Sequence, residues 1–261
     1  MTAWPARRGK RAASPEKKLS LVLMVLSPEQ EWTLVACGLV AHADGILEIG
    51  EWDQVLWMLD ERLPADVAEW WIDLLAKREA LQVKLGELPL PPPLFAETIL
   101  ERAWRMALAD GRGSDEEMWV HDDLAARLGV EAAQNKAWRD QWREQGRRRA
   151  EAIAAFAAIL ANADGVADSG ERAQFDDLVM RLPVDDARRA ELAGLIDAPP
   201  KLDDVVGKLA ALTPEERGIA LVSMAPIVRS SFSGNAEHEL FLELAERVAI
   251  KRDDAQRMLE R

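Results

Sequence analysis

The sequence predicts an all-α protein built by duplication, and three observations carry that reading. Apolar residues recur at helical spacing along most of the 261-residue chain. Strand signals are nearly absent, with no alternating runs and no Asn-Gly hairpins. Two stretches, AHADGILEIGE (41–51) and ANADGVADSGE (161–171), repeat one another 120 residues apart. Each half then reads as a pair of helix–turn–helix units.

Residues 1–18 carry Arg7, Arg8, Lys10, Arg11, Lys17 and Lys18 against the single acid Glu16, and read as a disordered basic tail. LSLVLMVL (19–26) follows and begins the fold. No small-residue cleavage site comes after it, so the pair is not a secretory signal. A solvated tail is the simplest role; weak contact with an anionic membrane surface is the other. Trp32, Val35, Ala36, Leu39, Val40 and Ala43 then share one helical face, repeated by Ala155, Phe156, Ile159, Leu160 and Ala163.

Beyond each Asp-Gly a second amphipathic helix is expected, with Val55, Met58 and Leu59 in one copy and Phe175, Leu178, Val179 and Leu182 in the other. Both run into Arg-Leu-Pro, at Arg62-Leu63-Pro64 and Arg181-Leu182-Pro183, where proline interrupts the helix. PLPPPL (89–94) and APP (198–200) read as loops between helices. A shorter echo of the motif, residues 104–130, has its counterpart at 222–250, where Ser230-Ser231 replaces Asp110-Gly111. RDQWREQGRRR (139–149) joins the halves as a helix end or a continuous connecting helix. The domains are therefore 19–138 and 150–261.

Acids outnumber bases by 46 to 33, for a formal charge of −13. That balance argues against general nucleic-acid binding, which needs a basic face, and suits solubility or cation binding. Cys37 is the only cysteine, which excludes an internal disulfide and a thiolate metal cage; its apolar setting predicts a buried, inert thiol. No apolar run approaches the roughly 20 residues of a membrane span, and a cytoplasmic location is expected. All ten tryptophans lie between Trp4 and Trp142 and are expected to fill the core. Trp70-Trp71 is the exception, because neighbours on a helix cannot both face one stripe.

Two readings of the repeated turn stand side by side. In the first, its acids are helix chemistry. Glycine ends the preceding helix at C′ in the left-handed conformation. Asp168-Ser169-Gly170-Glu171 and Ser114-Asp115-Glu116-Glu117 fit the capping box that starts the next one. In the second, Asp44, Glu48 and Glu51, repeated as Asp164, Asp168 and Glu171, hold a divalent cation. Oxygen ligands of this kind suit calcium or magnesium, although the spacing is not that of an EF-hand loop.

The full pattern, Ala-x-Ala-Asp-Gly-x-x-x-x-x-Glu between two helices and present in pairs, resembles the tellurite-resistance TerB family over about residues 28–138 and again over 148–259. The resemblance implies two tandem all-helical domains, each an internally repeated bundle. It also implies a role in stress-response or membrane-associated systems rather than a known enzyme activity, with acidic positions suspected of binding metal. By position these are Asp44, Glu48, Glu51, Asp110, Asp115 and Glu117 in the first domain, and Asp164, Asp168 and Glu171 in the second. The change to Ser230-Ser231 leaves the second domain half of the pattern. No His-Pro-Asp motif of an attached co-chaperone domain is present.

Catalytic motifs are missing: there is no Gly-x-Ser-x-Gly elbow, no phosphate-cradling loop and no His-Glu-x-x-His. His42, His121 and His238 have no nucleophile beside them in the sequence. The expectation is a non-enzymatic module that binds a divalent cation through its turns. The alternative is a helical adaptor for a protein partner, in which the acids only cap helices.

Overall fold

The computed structural model describes residues 26–43, 65–108, 113–165, 167–230 and 236–260, and among these every regular element is a helix. The basic tail, residues 19–25, the second helix of the first copy and Arg62-Leu63-Pro64 lie outside the described residues. In chain order the helices are α1 (Pro28–Ala41), α2 (Ala65–Leu75), α3 (Arg78–Glu87), α4 (Ala96–Ala107), α5 (Asp115–Arg127) and α6 (Ala132–Leu160). They continue with α7 (Ser169–Met180), α8 (Asp186–Ala193), α9 (Leu202–Ala210), α10 (Pro214–Ser230), α11 (Ala236–Arg247) and α12 (Arg252–Glu260). No helix among them is long and apolar enough to cross a membrane.

α1 is buried almost all round, as an apolar helix without a charged face must be. It packs against α3, α4 and α5. Its one buried charge, Glu31, is paired with Lys84 of α3 at 2.9 Å. The Trp32 indole donates to the Pro89 carbonyl at 2.8 Å, which ties the proline loop to the helix. Around α1 lies a first apolar cluster drawn from residues 32–142, with Trp71, Trp104 and Trp142 inside it. Trp71 is fully buried while its neighbour Trp70 is 37% exposed, as the helical geometry demands. Cys37 is buried too, and burial pushes its thiol up to about 12, so it stays protonated and inert.

A second cluster draws on residues 150–259 and shares no member with the first. The helix that reaches both is α6. At 29 residues it is about 43 Å long. Trp138 and Trp142 from its first half pack in the first cluster, and the run from Ala150 to Leu160 packs in the second. The stretch 139–149 is thus the middle of one continuous helix. Its charges are held in pairs one turn apart, Lys136 with Asp140 at 2.7 Å and Arg148 with Glu144 at 2.7 Å. These pairs, and the good helix formers Arg, Gln and Glu on either side of Gly146, keep the helix unbroken where it leaves one core for the other.

Helix ends are closed alike in the two halves. After α5 the Gly129 amide donates to Ala126 and the Val130 amide to Ala125; after α11 the Ala249 amide donates to Glu246 and the Ile250 amide to Ala245. Both are Schellman turns, whose C′ residue must take positive φ. Gly129 has φ 74° at no steric cost, but Ala249 has φ 65° with a Cβ to accommodate. Ala249→Gly is therefore expected to stabilise the protein by about 0.5–1 kcal/mol in urea unfolding, and Gly129→Ala to destabilise it by a similar amount. An unchanged or lowered stability in Ala249→Gly would remove strain at Ala249 as an energetic feature.

Candidate functional site

The acidic turn between α6 and α7 is described almost completely. α6 ends at Leu160 with Ala161 as its C-cap. The glycine is not the C′ residue expected from the sequence. Gly165 does take positive φ, 130°, but four residues beyond the cap. The helix stops earlier because the side chain of Asn162 takes over its end. Its Nδ2 donates to the Ala158 carbonyl at 2.9 Å and to the Ile196 carbonyl at 3.0 Å, and its Oδ1 accepts from the Ala167 amide at 3.3 Å. In the first half His42 makes the matching long-range bond, its Nε2 donating to the Leu75 carbonyl at 2.7 Å. The variable residue of Ala-x-Ala-Asp-Gly is therefore a clamp between the turn and a distant helix end.

Asp168 caps α7, its Oδ1 accepting from the amides of Gly170 at 2.7 Å and Glu171 at 2.9 Å. Glu171 returns the bond, its Oε2 accepting from the Asp168 amide at 2.8 Å. Ser114 and Glu117 repeat the exchange at α5: the Ser114 amide donates to Glu117 Oε2 at 2.6 Å, and the Glu117 amide to Ser114 Oγ at 3.1 Å. Ahead of that cap, Gly113 has φ 60° and donates to the Ala107 carbonyl at 3.0 Å. A Cβ there would stand 3.1 Å from the Trp104 ring, so the approach needs glycine.

The nine expected ligands separate by place. Asp44, Glu48, Glu51 and Asp110 lie outside the described residues. Asp115 is exposed on the first turn of α5, where with Glu116, Trp119, Val120, Ala43 and Arg78 it lines a shallow groove. Asp164 is exposed in its turn, while Asp168, Glu171 and Glu117 serve as caps. Among the described residues no three His, Cys, Asp or Glu side chains converge in a metal-holding arrangement.

The structure adds one acid to the second-half set. Glu237, on the first turn of α11, is 1% exposed and close enough to Glu171 for their charges to interact. Burial raises the Glu171 carboxyl above its ordinary value. The Asp168 amide bond opposes the rise, and the charges of Asp168, Asp164 and Glu237 add to it. Glu237 was legible in principle, since a shift of 120 residues carries Glu117 onto it.

The histidines are occupied within the fold. Besides His42, His238 Nε2 donates to Gln256 Oε1 at 2.9 Å, and His121 Nε2 donates to the Leu100 carbonyl at 2.9 Å. Fold and site together define a chain whose described elements are all helices and whose described acidic turns are closed by reciprocal caps. No protein-family model, curated protein or solved structure matches it.

Proposed function

We propose that this chain is a non-enzymatic, tandem helical module of the TerB-like kind that works through contacts with a protein partner, its acidic turns serving to fix helix ends. The observation that carries the reading is the pair of reciprocal caps. Ser114 with Glu117, and Asp168 with Glu171, spend acidic oxygens on backbone amides that would otherwise lack partners. Large apolar side chains left in solvent support a contact role: Trp119 is 69% exposed, on the same helix as Asp115 and Glu116. The stress-response or membrane-associated setting rests on the resemblance of the turn motif alone.

A second reading is favoured by one observation, the approach of buried Glu171 and Glu237 with Asp164 and Asp168 nearby. Calcium or magnesium at this turn would relieve the repulsion among these carboxylates.

Thermal melts in calcium, in magnesium and in EDTA separate the two. Asp168→Asn with Glu171→Gln keeps both caps, because Asn caps as well as Asp and Gln serves at N3, while it removes both charges. On the capping reading no ion moves the wild-type Tm, and the double variant stays within about 0.5 kcal/mol of wild type. Asp168→Ala then loses about 1 kcal/mol with or without ions. A saturable rise with one ion, lost in the double variant, would establish the cation reading instead.

A further inference from the structure

The outer face of α10 differs from that of its counterpart α4. The buried residues Ala220, Leu221, Met224 and Ala225 repeat the buried spacing of Ile99, Leu100, Ala103 and Trp104. In that register α4 turns Thr98, Glu101 and Arg105 outward, and Glu101 pairs with Arg105 at 2.6 Å. α10 turns Ile219, Val222 and Pro226 outward instead. Ile219 is 38% exposed and Val222 54% exposed. Pro226 has no amide hydrogen, so the Val222 carbonyl lacks its helical donor one turn on. An exposed apolar stripe where the counterpart helix carries a charge pair is an unpartnered helix face.

The charges on the face name its occupant. Glu215 and Arg229 are exposed and stand seven residues to either side of Val222, about 21 Å apart along the helix. Among the described residues neither forms a direct ion pair; Arg149 is taken by Glu216 at 3.6 Å, and Glu215 feels its charge only from farther off. Rotation by half a turn about an axis through Val222 sets Glu215 of one helix against Arg229 of the other, and the reverse. The same rotation brings Ile219 beside Pro226 and Val222 beside itself. Gly218 offers no side chain to hold the helices apart. Antiparallel pairing also opposes the two macrodipoles favourably. A face that is its own complement under a twofold axis is what an isologous interface requires.

We propose that α10 is a self-association surface, on which a second copy of this chain docks antiparallel with its twofold axis at Val222. One helix face is small for an interface, so the dimer forms in the micromolar range rather than below it.

Sedimentation velocity over roughly 1–500 µM tests this range, and far-UV circular dichroism checks the fold of each variant. The wild type is expected to rise with concentration from its 29.0 kDa mass toward twice that value. Glu215→Arg alone sets like charges against one another at both ends, as does Arg229→Glu alone; each weakens the dimer by about tenfold. Carrying both restores it. Val222→Cys is expected to form a disulfide-linked dimer under mild oxidation, because the two thiols meet on the axis and buried Cys37 does not compete. Arg229→Cys alone does not cross-link. A monomer throughout the range would overturn the proposal. So would a dimer indifferent to the single reversals, or one that the double reversal fails to restore.

Discussion

Acidification from pH 6.5 toward pH 4 is expected to cost this protein about 3 kcal/mol of stability through one residue, His121. His121 is fully buried, with its ring edge-on to Trp104 at 5.2 Å and to Trp142 at 6.3 Å. Its Nε2 hydrogen is given to Leu100, and its Nδ1 accepts from Asn135 Nδ2 at 3.3 Å. Asn135 Nδ2 also donates to Asp122 at 2.8 Å, and Arg139 pairs with the same carboxylate. A second ring proton would meet an amide donor instead of an acceptor.

Burial therefore lowers the imidazole to about 4, with Arg139 adding to the fall; the Leu100 bond and Asp122 oppose it. Above pH 6.5 the ring is neutral folded and unfolded, and contributes no pH dependence. Between 6.5 and about 4 the unfolded chain takes a proton that the folded one refuses, so stability falls with pH by about 1.4 kcal/mol per unit. Urea titrations of wild type and His121→Phe, at steps from pH 7 to 4.5, measure the difference. The variant borrows the ring found 120 residues on, at Phe241. It starts about 1–3 kcal/mol lower because Leu100 and Asn135 lose a partner, but its slope in this window is flatter. Carboxylates, including Glu171 with its opposite sign, are common to both proteins and cancel. Equal slopes would remove His121 as the titrating group.

Phe241→Ala is expected to cost about 3–5 kcal/mol and to be felt by only half of the molecule. Phe241 is fully buried and stacks on Phe156 of α6, with ring centroids 5.8 Å apart, at the middle of the second cluster. That cluster contains no tryptophan, since none follows Trp142. Every tryptophan precedes that cluster, so fluorescence reports chiefly on the first half, whose cluster holds Trp32, Trp71, Trp104 and Trp142, and circular dichroism reads both. In the variant the helical signal should divide into an earlier and a later transition, with fluorescence following the later one at its wild-type midpoint. The two clusters have no residue in common, and α6 runs through both. If both probes shift together by the same amount, α6 transmits the loss and the chain unfolds as one unit.

Much of this was legible in the residues because helix physics is local. The 3.6-residue apolar rhythm placed α1, and the caps of α5 and α7 followed from Ser-x-x-Glu and Asp-x-x-Glu pairs three positions apart. The stretch 139–149 showed an unbroken helical sequence, but whether it ended or continued depended on having a second core to enter.

The sequence by itself determined the helical class, the 120-residue repetition and the reciprocal caps of the described turns, since each depends on neighbours within one turn of helix. Tertiary structure decided what lies farther apart. It made His42 and Asn162 clamps on carbonyls 33 and 34 residues away, and it ended α6 at Leu160 rather than at the Asp-Gly pair. It buried Glu237 near Glu171 and left the stripe of α10 in solvent. Those outcomes depend on which faces meet when the helices pack, and no rule of local spacing contains that information.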